Sequence, residues 1–383
     1  MHYFDNAATT FPKPNEVYEC MDTFYRQFGV NVGRGQFKEA SIAYAMMQET
    51  RQLLLELFHV KYPYETIFEP SATQALNIVI NSFNFCKNDV VYITPFEHNA
   101  ILRTLYARQK EIGFDVILLA VDTKTLQINV GEVKKAFEKQ PPNYCFLTHA
   151  SNSFGCILEV EDICNLAKKY GATNVVDMAQ TAGLVDINLN NASIDYAIFA
   201  GHKTLYGPFG VGGIITKEAK TLKPLIYGGT GLDSKNRDMP EQIPVKLEAG
   251  SANIQAIAGL NAALKWIKKI GIETIRAKEK VTTQKVLEVI KEHSNISIIR
   301  GKNEEKNIGV ISCVFDGYSS DSIGQVLSDK NIAVRTGLHC APLGHELLKT
   351  APDGTVRISV NYFTSGEDIQ ALNEALDYIE LEG

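Results

Sequence analysis

A chain of 383 residues with 45% hydrophobic and 21% charged residues has an ordinary globular make-up, and its length favours two domains over a single core. A formal net charge of −6 with no basic run argues against nucleic acid or an anionic membrane surface as a partner. The opening Met1-His2-Tyr3-Phe4-Asp5 lacks a secretory pattern, no apolar run reaches membrane-spanning length, and the seven cysteines form no C-x-x-C pair, so a reducing, cytoplasmic setting is expected.

Residues 1–14 hold one short apolar strand and a proline-punctuated turn; residues 15–28 and 38–59 read as helices, linked by Asn31-Val32-Gly33-Arg34-Gly35. From about residue 64 strands and helices alternate. Thr66–Glu69 leads into a helix opening at Ser71-Ala72-Thr73, Val90–Ile93 into Glu97-His98-Asn99 and a helix to about Ile112. Strand Val116–Leu119, helix 131–139, strand Tyr144–Leu147, helix 160–170 and strand Asn174–Asp177 continue the rhythm, then strands Tyr196–Phe199 and Gly213–Thr216. Such alternation predicts βαβ units and a mostly parallel sheet. Residues 220–250 read as irregular, 252–270 and 273–293 as helices, and the remainder as a smaller α+β unit with strands at 296–299, 308–312 and 356–360 and helices at 320–329 and from about 366.

In parallel sheets ligands sit beyond the carboxyl ends of the strands. Thr73, His98, Asn152, Asp177, Gln180, His202 and Lys203 all fall just after predicted strands. Lys203, beside His202 at the end of a buried strand, is either a solvated loop residue or an amine whose desolvation frees its lone pair for Schiff-base formation. Asp177 ends another apolar strand 26 residues earlier. A lysine for the aldehyde and a carboxylate for the ring nitrogen are what pyridoxal phosphate requires. Ser71-Ala72-Thr73 opens a helix where free N–H groups attract phosphate, although capping is the commoner use of such residues. His98 is placed for stacking on a ring or for proton transfer, or is a satisfied polar residue.

Arg357 lies inside an apolar strand and needs an anion: a substrate carboxylate, or an internal salt bridge. Cys340, in the polar stretch Arg335-Thr336-Gly337-Leu338-His339-Cys340-Ala341-Pro342, is a nucleophile poised as thiolate by Arg335 and His339, or a bystander. Cys145 and Cys313, inside predicted strands, are expected to be inert core thiols. No strand is followed by G-x-G-x-x-G, which disfavours a nicotinamide cofactor.

Taken in order, Phe4-Asp5-Asn6-Ala7-Ala8-Thr9-Thr10, Glu97-His98-Asn99-Ala100, His149-Ala150-Ser151-Asn152, Val176-Asp177-Met178-Ala179-Gln180, Gly201-His202-Lys203 and the Cys340 stretch resemble the class V aminotransferase superfamily. Within it they resemble the cysteine desulfurase and selenocysteine lyase branch, of the SufS-like second group with its short cysteine loop. The resemblance implies an α/β, fold type I homodimer: a mostly parallel, seven-stranded-type sheet in a large domain (15–255) and a smaller α+β domain (1–14 and 256–383). It implies that pyridoxal phosphate is held by Lys203, Asp177, Gln180, His202, Thr73, Ala72, His98 and Asn152, with Ser251, in Glu248-Ala249-Gly250-Ser251-Ala252-Asn253, reaching the neighbouring subunit's phosphate. Arg357, Asn152, Arg335 and Arg34 would bind L-cysteine or L-selenocysteine. Lys203 would move the α-proton, and Cys340 would take the sulfur as a persulfide for an acceptor protein, leaving L-alanine. Three departures stand out: Ala200 and Gly33 replace the family's usual Ser and His, and Gly228-Gly229-Thr230-Gly231 is unusual. Another class V aminotransferase or β-lyase is the rival reading, with Cys340 dispensable; a scaffold without catalysis is disfavoured because Lys203, Asp177, Gln180 and Cys340 are all present.

Overall fold

The computed structural model describes residues 1–32, 35, 37–231 and 235–382. The chain opens with β1 (His2–Tyr3), α1 (Asn15–Phe28) and α2 (Lys38–Leu57). It then alternates β2 (Glu65–Glu69), α3 (Ala72–Ser82), β3 (Val90–Ile93), α4 (Asn99–Ile112), β4 (Asp115–Leu118), α5 (Val130–Lys139), β5 (Tyr144–Thr148), α6 (Val160–Lys168) and β6 (Thr173–Asp177). Two strands follow with no helix between them, β7 (Tyr196–Ala200) and β8 (Gly212–Thr216). An irregular stretch, as expected from its prolines and glycines, leads to α7 (Ile254–Ile270) and α8 (Ile272–Lys291). The last part holds β9 (Ile296–Ile299), β10 (Val310–Phe315), α9 (Ser320–Asp329), β11 (Ile332–Ala333), β12 (Arg335–Gly337), α10 (Pro342–Leu347), β13 (Thr355–Ser359) and α11 (Gly366–Glu382).

β2 through β8 form one seven-stranded sheet in the order β2-β8-β7-β6-β5-β3-β4. Pairing is parallel from β7 to β4, and β8 alone runs against its neighbours β7 and β2. The central strands bury their apolar residues because both faces are covered: Phe146, Val175, Val176 and Ile198 are fully buried. Each such side chain contributes about 1.5–3 kcal/mol by leaving water. The winding direction reverses between β3 and β5, since β4 lies on one side of β3 and β5, β6 and β7 follow on the other. A crevice at the carboxyl ends opens at such a reversal. Local chemistry sets where the helices facing it begin: Ser71 Oγ accepts the Gln74 N–H at 3.2 Å to start α3, and His98 Nδ1 accepts the Ala100 N–H at 3.0 Å to start α4. Gly113, at φ +88°, ends α4.

β8 passes between β2 and β7 with almost no clearance. A Cβ on Gly213 would lie 2.0 Å from the Ile67 carbonyl oxygen and 2.8 Å from the Phe199 ring. Gly213→Ala therefore has to part β8 from β2, and the expected loss of stability is about 1–3 kcal/mol or more, read as a lower urea midpoint with unchanged slope.

A second, antiparallel sheet has the order β12-β13-β10-β9, and β1 pairs in parallel with β11 beside it. The first residues of the chain thus join its last third. One expectation needs correcting here. The polar stretch after residue 334 is not a simple loop: Arg335–Gly337 pairs with Thr355–Arg357 as an edge strand, and α10 follows with Pro342 at its first turn. Three polar residues carry no alternating pattern, so only backbone pairing with β13 makes them a strand.

Candidate active site

A cavity of roughly 220 Å³ sits at the carboxyl ends of β3, β5, β6 and β7, walled by Ala72, Thr73, His98, Asn152, Asp177, Gln180, His202, Lys203, Arg335 and Arg357. Ten residues expected to act together from widely separated segments thus share one wall. Ser251 is not among them; it is exposed in this chain. Arg34 lies outside the described residues.

Lys203 enters from the turn that follows β7. Among the described residues its Nζ has no hydrogen-bond partner. Burial pulls its ammonium below the ordinary lysine value, opposed by the charge of Asp177 and assisted by Arg357 and Arg335. Asp177 ends β6; Oδ1 accepts the Ala179 N–H at 2.9 Å, and burial raises its pKa while Lys203 lowers it. Gln180 donates to the Ala7 carbonyl at 2.8 Å, bringing Ala7 and Ala8 to the cavity wall. Because His98 Nδ1 accepts a backbone N–H, its ring proton is on Nε2; burial, with Lys203, Arg335 and Arg103 nearby, pushes its pKa down to about 4. His202 stacks on Phe209 at 4.7 Å, its buried Nδ1 has no partner among the described residues, and burial takes its pKa to about 3. Glu97, fully buried, accepts from Thr94 Oγ1 at 2.7 Å and Thr148 N at 2.8 Å, tying the ends of β3 and β5 together just before His98.

The residues present fit a phosphorylated pyridine aldehyde. Lys203 supplies an amine, Asp177 a carboxylate, and the unpartnered His202 Nδ1 a polar atom in the same wall. The amino end of α3 is open because β8 has glycine there: a Cβ on Gly212 would sit 2.9 Å from the Ala72 nitrogen. Ala200, standing where the family resembled usually has serine, adds only a methyl to the wall.

Arg357 has the internal partner that its sequence position left open. Fully buried, it pairs through Nη2 with Asp5 at 2.5 Å and donates through Nη1 to the Asn152 carbonyl at 3.0 Å, while Nε has no partner among the described residues. Asn152 in turn donates to the His339 carbonyl at 2.7 Å, and the Asn99 N–H to the Cys340 carbonyl at 2.7 Å. These bonds pin the cysteine stretch, in which Gly337, His339 and Cys340 all have positive φ, against the large sheet. Arg335 Nη2 lies 3.5 Å from Cys340 Sγ, as the spacing suggested. His339 does not flank the thiol usefully: its buried ring turns inward to Thr355, Nε2 lying 3.0 Å from Oγ1. Cys340 lines a neighbouring cleft of roughly 550 Å³ that shares His98, Thr73 and Ala100 with the cavity. Cys145 and Cys313 are fully buried, and burial raises both thiols. Asp5, Ala7, Ala8 and Glu97 also stand at or beside the site; their residue types alone do not mark them, and only their places within Phe4–Thr10 and Glu97–Ala100 point there.

Burial also sets a pH dependence of stability. His98, His149, His202, His339 and His345 stand at about 4, 4, 3, 2 and 4, so the unfolded chain binds protons below about pH 6.5 that the folded chain refuses. Their effect is a loss of stability as pH falls from about 6.5. Glu69, Glu97 and Glu279, raised by burial to about 8, 8 and 7, act oppositely: the stability they contribute is complete below the unfolded carboxyl value and lost as pH rises through 7–8. Urea midpoints of the cofactor-free protein should therefore be highest near pH 6–6.5 and lower at both pH 4.5 and pH 8.5.

The family model "Aminotransferase class-V" matches residues 2–372. The chain is 30% identical over 388 residues to a probable cysteine desulfurase of Methanothermobacter thermautotrophicus, covering 99% of this chain and 94% of that protein. It is 31% identical over 386 residues to one of Pyrococcus abyssi, covering 98% and 93%. Among solved structures, the apo cysteine desulfurase of Thermococcus onnurineus superposes with a TM-score of 0.91 at 28% identity, covering 100% of this chain and 95% of that one.

Proposed function

The chain belongs to the class-V aminotransferase family, and on that premise we propose that it is a pyridoxal-phosphate-dependent cysteine desulfurase, releasing L-alanine from L-cysteine and carrying the sulfur on Cys340. The observation that carries the reading is the placement of Cys340: its loop is bonded by Asn99 and Asn152 to the wall that also presents Lys203 and Asp177.

Lys203, Asp177, Gln180, His98, His202, Ala72 and Thr73 would hold the cofactor. When bound, pyridoxal phosphate supplies an electron sink for the bonds around the substrate's α-carbon. Asp177 would face the ring nitrogen with its carboxylate. Arg357, whose Nε has no partner among the described residues, binds the substrate carboxylate with Asn152 and Arg335. Lys203, desolvated and so readily neutral, takes the α-proton and returns one. Cys340 thiolate, beside the Arg335 cation, attacks the substrate sulfur. An S–S bond forms as the C–S bond breaks, the bonding pair stays with carbon, and that carbon takes a proton to become the alanine methyl. The cleft beside Cys340 supports onward delivery of the sulfur to an acceptor protein or reductant, as in the supply of sulfur for clusters. Exposed Ile226, Tyr227 and Phe209 support a homodimer in which Ser251 serves the partner's cofactor. The division into 15–255 and 1–14 with 256–383 is also proposed; α7, which packs on α1 and α2, bridges it. No helix among the described residues is long and apolar enough to cross a membrane, and a cytoplasmic setting is part of the proposal.

The test is alanine release by the purified holoenzyme from L-cysteine and from L-selenocysteine, side by side with a reductant present. Turnover of cysteine supports the reading. Alanine from selenocysteine alone makes the protein a selenocysteine lyase, and alanine from neither overturns both in favour of another class-V activity.

A further inference from the structure

Residues 2–13 form a strap between the two lobes, and its far end closes on the backbone that carries Lys203. At its near end β1 pairs with β11, Asp5 pairs with Arg357, and the Ala7 N–H donates to Ser359 Oγ at 2.9 Å. Ala7 and Ala8 then wall the cavity. Beyond them the His202 carbonyl meets four donors: Thr9 Oγ1 at 2.9 Å, Thr10 N at 3.1 Å, and Thr10 Oγ1 and Lys13 Nζ, both at 3.3 Å. The buried Thr10 hydroxyl has one proton, and its nearer acceptor is the Lys203 carbonyl at 3.0 Å. It also accepts from Lys13 Nζ at 3.1 Å. The resulting chain runs from the Lys13 ammonium through Thr10 Oγ1 to the peptide oxygen of Lys203. Among the described residues Lys13 has no carboxylate against it; its other contact is the Thr10 carbonyl at 2.9 Å. A cation held only by neutral oxygens polarises the hydroxyl it touches and strengthens the bond that the hydroxyl donates.

We infer that Thr10, backed by Lys13, is a positioning residue for Lys203: it fixes the lysine's peptide from behind, so that Nζ meets the reacting centre at one place. The inference rests on the reading of Lys203 as the cofactor's lysine. The turn's own bonds do not do this alone, since Tyr206 N is the only other donor to the Lys203 carbonyl among the described residues, at 2.8 Å. The groups facing Lys203 are Asp177 at the end of β6, His98 at the start of α4, His202 beside it, Arg335 on β12, Cys340 in its loop and Arg357 on β13. A small rotation of the lysine backbone changes its distance to every one of them.

Thr10→Val removes the hydroxyl at nearly constant volume, and Thr10→Ser restores it. Thr10→Val should lower kcat for L-cysteine about tenfold with KM within about twofold, and shift the pH of the cofactor-lysine absorbance change by about half a unit, while Thr10→Ser stays near wild type. A second readout does not need turnover: the cofactor-free protein is incubated with pyridoxal phosphate and borohydride, and labelling of Lys203 is followed by peptide mass spectrometry. Slower labelling in Thr10→Val, restored in Thr10→Ser, supports the inference even if L-cysteine proves not to be the substrate. Wild-type labelling, absorbance profile and kcat in Thr10→Val overturn it, whether or not the melting temperature drops. Wild type that never labels at Lys203 overturns the reading beneath it instead.

Discussion

Lys203→Ala should leave a folded protein with essentially no alanine release from L-cysteine, kcat falling by about four orders of magnitude, the upper range for a group that both anchors and transfers protons. The lysine is half-buried in the cavity wall, unpartnered at Nζ among the described residues, and lowered in pKa by desolvation. An ammonium kept in such a place costs the fold stability. Removing it leaves Asp177 without its neighbouring cation, but that carboxyl is already raised by burial and can stay protonated. The melting temperature of the cofactor-free variant should thus match or exceed wild type, which separates lost chemistry from lost structure. Lys203→Arg should be equally inactive, because a guanidinium neither forms the covalent link nor gives up its proton. Turnover within tenfold of wild type in either variant would remove Lys203 from its assigned role.

Cys340→Ser should lower alanine release from L-cysteine by about a hundredfold or more while leaving cofactor absorbance and substrate binding in place. The thiol is partly exposed and 3.5 Å from Arg335 Nη2. Serine keeps the shape of the loop but is a far weaker nucleophile toward sulfur, because its hydroxyl is not ionised near neutral pH. The bonds from the Asn99 N–H and the Asn152 side-chain amide to the loop are accepted by its backbone carbonyls, which the substitution does not alter. Release from L-selenocysteine should fall much less, since selenium departs more readily without a nucleophile. If cysteine turnover survives in Cys340→Ser, persulfide formation on Cys340 is wrong and a β-lyase acting directly on the substrate takes its place.

Much of the large sheet was legible because its signals are local. The strand leading to Lys203 is an uninterrupted apolar run buried on both faces, the strand ending at Asp177 carries the buried pair Val175-Val176, and Ser71 and His98 cap helices through atoms three or two residues away. The antiparallel course of β8 had no such signal, because strand direction is a property of the chain's path. The same holds for the three-residue strand at Arg335, whose pairing with β13 rather than its own side chains makes it extended.

For the site, the chain by itself determined which chemical groups are present and where they fall relative to strands: an amine at 203 after one, a carboxylate at 177 ending another, a guanidinium at 357 inside a third, and a thiol at 340 in a polar stretch. Tertiary structure alone decided what each group faces. Arg357 meets Asp5 across 352 positions of sequence, His339 turns from Cys340 to Thr355, and Thr10 reaches the Lys203 carbonyl across 193. The physical reason is range. Periodicity and capping are written in residues a few positions apart, whereas the charge state and aim of a buried side chain depend on neighbours that only folding brings within hydrogen-bond distance.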